Sequence, residues 1–120
     1  MILFVDDDVT KRYACTRPMR KAGLKVIEAS SGAEALKLIK KVQPRAVVAD
    51  AHLGDMDGYE LCHRVKSEFA VPVILVSASP GDAKLISKNR VDAYIDTYAD
   101  PELLLNALEK CVEMKRSKGS

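Results

Sequence analysis

Ile2-Leu3-Phe4-Val5-Asp6-Asp7-Asp8 is the stretch that decides the fold: four apolar residues without alternation, then three acids. A run that is apolar at every position suits a strand covered on both faces, as strands of parallel sheets are. The pattern returns at Ala46-Val47-Val48-Ala49-Asp50, and again at Val73 to Val76, which ends in Ser77. Two shorter segments, Lys25 to Glu28 and Ala93 to Ile95, bring the strand count to five.

Between the strands lie amphipathic stretches with helix punctuation. Val9 to Ala22 reads as a helix stopped by Gly23 at the position past its C-cap. Ser31-Gly32-Ala33-Glu34 reads as a capping box opening a helix to Lys41, with Pro44 closing it. Asp57 and Glu60 start a helix running to about Phe69, and a weaker one covers Asp82 to Asn89. Asp100-Pro101-Glu102 starts the last helix, where Leu104, Ala107, Leu108, Cys111 and Val112 recur at helical spacing. Pro18 falls inside the first helix and predicts a kink, because its ring nitrogen has no hydrogen to give Ala14. Five strands alternating with five helices predict an α/β fold, a five-stranded parallel sheet with helices on both faces.

Composition narrows the function. A chain of 120 residues makes one domain, read as residues 1–116 with 117–120 a tail or linker. Its 19 basic and 17 acidic residues are too balanced for a nucleic-acid footprint. With no Trp and two Phe it offers no platform on which bases could stack. The basic residues Lys11, Arg12, Arg17, Arg20 and Lys21, and Lys115, Arg116 and Lys118 at the end, read as solvated helix faces and a frayed terminus. Cys15, Cys62 and Cys111 lack metal-ligand spacing and read as free thiols in a reducing compartment. Without a leader or a spanning apolar run, a cytoplasmic protein that does not enter membranes is expected.

Ligands of open α/β sheets bind beyond the carboxyl ends of the strands, where the strand order reverses. Asp6 and Asp7 end the first strand and Asp50 the third, so neighbouring strands would gather three carboxylates there. Such like charges call for a hard, oxygen-preferring cation, with Mg²⁺ the best fit. Asp8 reads as the cap of the first helix.

Val5-Asp6-Asp7, Asp50 followed by Asp57-Gly58, and Val76-Ser77-Ala78 resemble, in order and spacing, the active-site segments of the response regulator receiver domain family. The resemblance covers essentially the whole chain. It implies a flavodoxin-like strand order 2-1-3-4-5 and a phosphoryl group taken from a sensor histidine kinase or phosphotransfer protein onto Asp50. It further implies Mg²⁺ held by Asp6, Asp7, Asp50 and the backbone carbonyl of His52. Ser77 would be the switch hydroxyl and Tyr94 the switch aromatic. A homodimer through the last helix and an output domain fused beyond the linker-like closing residues are further expectations, and the balanced charge argues that the domain itself does not bind nucleic acid.

The sequence departs from this family where a Lys-Pro pair usually follows the fifth strand. Thr97 takes the lysine position and Tyr98 the proline position, with Ala99 at the neighbouring aromatic position. Gly54 replaces the usual proline of the loop after Asp50, and the segment from Ser77 to Tyr94 is slightly short. No residue near Thr97 in sequence replaces the lost charge, and Lys84 or Lys88 are the candidates to reach the site. The expectation is an intact acceptor with an impaired switch.

Two other readings use the same residues. Asp6-Asp7-Asp8-Val9-Thr10 fits the D-x-D-x-T of haloacid dehalogenase-like phosphatases, with Asp6 as nucleophile, Asp8 as acid, and Asp92 and Asp96 as a late acidic pair. That reading leaves Asp50 and Asp57-Gly58 without a role. A pseudo-receiver, keeping the fold as a docking surface without the switch, is the third.

Overall fold

The computed structural model describes residues 1–119, with the side chains described through Val112. Strands β1 (Ile2–Val5), β2 (Val26–Ala29), β3 (Ala46–Asp50), β4 (Val73–Val76) and β5 (Ala93–Ile95) alternate with helices α1 (Val9–Lys21), α2 (Gly32–Val42), α3 (Gly58–Glu68), α4 (Ala83–Lys88) and α5 (Pro101–Gly119). The sheet has the order β2-β1-β3-β4-β5, parallel throughout, as expected.

The pleat sorts the apolar runs into two cores. Leu3, Val5, Val47, Ala49, Val73 and Leu75 face α2 and α3, meeting Ala35, Ile39, Leu61 and Val65. Ile2, Phe4, Ala46, Val48, Ile74 and Val76 face the other way, meeting Cys15 and Met19 of α1 and Leu104 and Leu108 of α5. Successive side chains of a strand point to opposite faces, so a run without polar positions is what two cores require.

The helix ends follow local chemistry. Past α1, Gly23 takes φ 90, its amide bonds to the Arg20 carbonyl, and the Leu24 amide bonds to the Met19 carbonyl. This paired arrangement satisfies two carbonyls that a helix end leaves free. Helix α1 runs unbroken through Pro18, whose own carbonyl still accepts from the Ala22 amide. At α2 only half of the capping box forms. Ser31 accepts from the Glu34 amide, but the Glu34 carboxylate takes the Ser30 hydroxyl instead of a backbone donor. The carboxylate of Asp55 supplies the remaining caps, accepting from the amides of Gly32 and Ala33. Helix α2 ends at Gln43, left-handed at φ 51, one residue before Pro44.

Helix α4 is six residues long and buries no side chain. Helix α5 continues to Gly119, into the stretch read as a tail. The basic side chains of Lys115, Arg116 and Lys118 lie outside the described residues. Among the described residues no helix is long and apolar enough to cross a membrane.

Candidate functional site

Register brings the acids together. Val5 pairs with Ala49, so the next residues, Asp6 and Asp50, leave adjacent strands side by side. Asp50 in turn pairs with Val76, which places Ser77 just past the end of the next strand. Asp6, Asp50 and Ser77 are all buried, whereas Asp7 and the side chain of His52 are exposed.

Both oxygens of Asp50 are engaged. Oδ1 accepts from the His52 amide at 2.7 Å, a turn that the main chain fixes. Oδ2 accepts from the Tyr98 hydroxyl at 2.7 Å, and the Lys11 ammonium stands 3.9 Å from the same oxygen. Lys11 also lies over the Tyr98 ring, 5.4 Å from its centroid, close enough for attraction to the ring face. Burial pushes the Tyr98 phenol well above the ordinary range for tyrosine, and its bond to Asp50 pushes it further.

Asp6 is less well served. Its Oδ1 accepts from the Asp8 amide at 2.9 Å, while the buried Oδ2 has no hydrogen-bond partner. Burial pushes the Asp6 carboxyl up to about 6, and the charge on Asp50 adds to the rise, with the Asp8 amide working against both. Buried polar atoms are seldom left unpaired, and an orphaned carboxylate oxygen beside a second carboxylate suits a hard cation. Among the described residues no three His, Cys, Asp or Glu side chains already form such a cage. Asp7 is exposed, and its Oδ2 lies 3.0 Å from where a Cβ on Gly54 would stand. The glycine at that loop position therefore leaves Asp7 its room.

The remaining expected residues lie around this centre. Ser77 Oγ accepts from the Ser79 amide at 3.1 Å and shares a contact of 3.1 Å with the Ser79 hydroxyl. The Tyr94 hydroxyl donates to the Ser79 carbonyl at 3.1 Å, and its ring stacks on Tyr59 with centroids 6.3 Å apart. Burial raises the Tyr94 phenol. Thr97 does not reach Asp50; its hydroxyl accepts from the Ala99 amide in the loop before α5.

Sequence reasoning missed two residues here. In the sequence Lys11 reads as one of the solvated helix charges, and Lys84 or Lys88 as the cations that could reach the site. Among the described residues, however, Lys11 is the cation paired with Asp50. Tyr98 reads in the sequence only as the residue at the usual proline position. A signal for Lys11 did exist: it sits three residues past the cap Asp8, in the first turn of the helix that leaves the acidic strand end. No comparable signal exists for Tyr98, because its partner is 48 residues away.

The phosphatase reading fails on placement. Asp8 caps α1 through the Lys11 amide. Asp92 accepts from the Val73 amide and pairs with Lys66, at the end of β4 opposite the acids. It cannot join Asp6 in one site.

A parallel sheet of order 2-1-3-4-5, with a buried carboxylate pair at the carboxyl ends of its central strands, defines a flavodoxin-like fold with its site at the topological switch point. The family model described as "Response regulator receiver domain" matches residues 2–109. This chain belongs to that family, the receiver domains of two-component signalling. The transcriptional regulatory protein AfsQ1 of Streptomyces coelicolor is 32% identical over 85 residues, 71% of this chain and 38% of that protein. A protein-glutamate methylesterase/protein-glutamine glutaminase of Hahella chejuensis is 37% identical over 79 residues, 65% of this chain and 23% of that enzyme. The chain thus spans well under half the length of these relatives. Among solved structures, a putative response regulator from Chloroflexus aurantiacus superposes with a TM-score of 0.84 at 29% identity, covering 93% of this chain and 96% of that one. A receiver domain protein from Clostridium thermocellum shares the fold, with a TM-score of 0.88 at 22% identity over 96% of this chain and 95% of that one.

Proposed function

We propose that Asp50 is the phosphoryl acceptor of this receiver domain. The observation that carries this is its carboxylate at the end of a central strand, beside the unpartnered Asp6 oxygen and within 3.9 Å of the Lys11 ammonium. A carboxylate oxygen of Asp50 attacks phosphorus, the P–N bond of a donor phosphohistidine breaks, and the departing imidazole takes a proton from water. Transfer of this kind needs mainly positioning and neutralisation of charge. Asp6, Asp7, Asp50 and the His52 carbonyl would hold Mg²⁺, which supplies the neutralisation when bound. Lys11 contributes the fixed positive charge that Thr97 cannot. Ser77 and Tyr94 form the switch pair that responds to the new oxygens, through the Ser79 contacts they share.

The partners that suit this chemistry are a sensor histidine kinase or phosphotransfer protein in the cytoplasm. The lengths of the relatives favour an output domain fused to residues 1–116 in the whole protein, with 117–120 leading toward it. The test is mass spectrometry after incubation with Mg²⁺ and acetyl phosphate, followed by borohydride reduction and peptide mapping. One phosphoryl group on Asp50, absent in Asp50→Asn, is the expected result; label on Asp6 would defeat the reading.

A further inference from the structure

Asp50 has a side chain only 4% exposed, although a phosphoryl donor must reach one of its oxygens. Something covering it has to move. Oδ1 is tied to the His52 amide by a two-residue turn, which the backbone cannot easily release. Oδ2 is covered by the Tyr98 phenol, a side chain on the loop between β5 and α5. Lys11, the other group at Oδ2, is 47% exposed and held less tightly, at 3.9 Å.

We infer that Tyr98 is a latch on the acceptor oxygen: its hydroxyl holds Asp50 Oδ2 in the resting protein and must release it before the phosphoryl group can arrive. The inference rests on Asp50 being the acceptor. A lone pair already accepting a short hydrogen bond from a phenol is a poorer nucleophile, and that bond covers the oxygen. The geometry also gives the release a direction. Tyr98 keeps a weaker bond to the Val76 carbonyl at 3.3 Å, so the hydroxyl has a second acceptor close by. Beneath the ring, between α1 and α5, is a cavity of about 20 Å³ lined by Cys15, Pro18, Met19 and Leu104 among others. That volume holds one water and not a phenol. The ring therefore does not fit into that cavity, and displacing it displaces the loop whose far end is Pro101, the first residue of α5. Tyr98 thereby links the state of Asp50 to α5 from the place where the usual lysine-proline pair would stand.

The step needs no oxidant, reductant or second group donor. With acetyl phosphate, the bond from Oδ2 to phosphorus forms as the phosphorus–oxygen bond to acetate breaks, and acetate leaves as its anion. The test compares initial rates of phosphoryl uptake in the parent and in Tyr98→Phe, at saturating Mg²⁺ and equal acetyl phosphate, with Asp50→Asn as the blank. Loss of one hydrogen bond to a charged acceptor should raise the rate about tenfold in Tyr98→Phe. Amide resonances from Thr97 to Leu104 should already be displaced in unphosphorylated Tyr98→Phe, toward their positions in the phosphorylated parent. A merely structural role for the ring predicts neither change, since phenylalanine preserves the packing. Equal rates, with the parent labelled on Asp50, overturn the latch and leave the acceptor intact. Uptake in Tyr98→Phe but not in the parent supports both, while uptake in neither protein overturns both.

Discussion

The centre of the sheet and its β5 flank are built to different standards. Every residue of β1, β3 and β4 is buried, and these strands carry Asp6, Asp50 and Ser77 at their ends. On the flank, β5 buries Ile95 alone and α4 buries nothing. Asp50, the proposed acceptor, is thus mounted where the chain cannot yield. The groups that would report on it, Tyr94 and Tyr98, sit where the chain can. Tightly packed interiors resist displacement, whereas few buried contacts mean low local stability.

The sharpest test of the contrast is chemical. Replacing Asp50 by Asn should abolish phosphoryl uptake while the melting temperature stays equal to or above that of the parent, since a repelling charge beside Asp6 is removed. Packing gives the next largest effect. Ile74→Ala in the central strand should cost about 2–5 kcal/mol in urea unfolding. Leu85→Ala on α4, where the side chain is 38% exposed, should stay within about 0.5 kcal/mol. Similar costs at both positions would erase the distinction drawn here. Between these lies Gly58→Ala, because a Cβ there would stand 2.7 Å from the Asp50 carbonyl oxygen and 2.8 Å from the Ala51 Cα. Overpacking against backbone should cost about 1–3 kcal/mol and displace the acceptor with it.

Charge comes next in size. Lys11→Gln should slow uptake from acetyl phosphate by about fivefold to tenfold, the equivalent of roughly 1–1.4 kcal/mol for a half-exposed cation. Thr97→Lys should restore the rate in that background and strengthen the shift at Ser77 and Tyr94, read by NMR. The smallest effect concerns thiols. Burial pushes Cys15 up to about 12 and Cys62 up to about 11, whereas Cys111 on α5 is only partly buried. Native alkylation at pH 8 should therefore label Cys111 first, with Cys15 and Cys62 reacting only on unfolding.

The sheet was legible because both kinds of evidence for it are local. An unbroken apolar run such as Ile2 to Val5 and a cap such as Asp57 with Glu60 are settled within a few residues, and the acids at strand ends follow once the order is known. Contacts that close the site are not local. The bond from Tyr98 to Asp50 exists because β5 delivers its loop to the end of β3, across β4, and no pattern in either segment encodes the meeting. The half-formed box at Ser31 fails for the same reason: Asp55, 23 residues from Gly32, takes over part of the capping.

Among the described residues, the side-chain hydrogen bonds that tie helix α4 to other elements lie near its ends. At its start the Asp82 amide donates to the Tyr59 hydroxyl; at its finish the Asn89 carbonyl accepts from the Cys62 thiol. Between these bonds no side chain is buried, so opening this segment exposes little that water would resist. Its amides should consequently exchange with solvent deuterium through brief local openings, long before those of β3 or β4, which wait for the whole domain to unfold. A binding partner that orders α4 would then do so against a small opposing free energy, and one that displaces it would disturb little else.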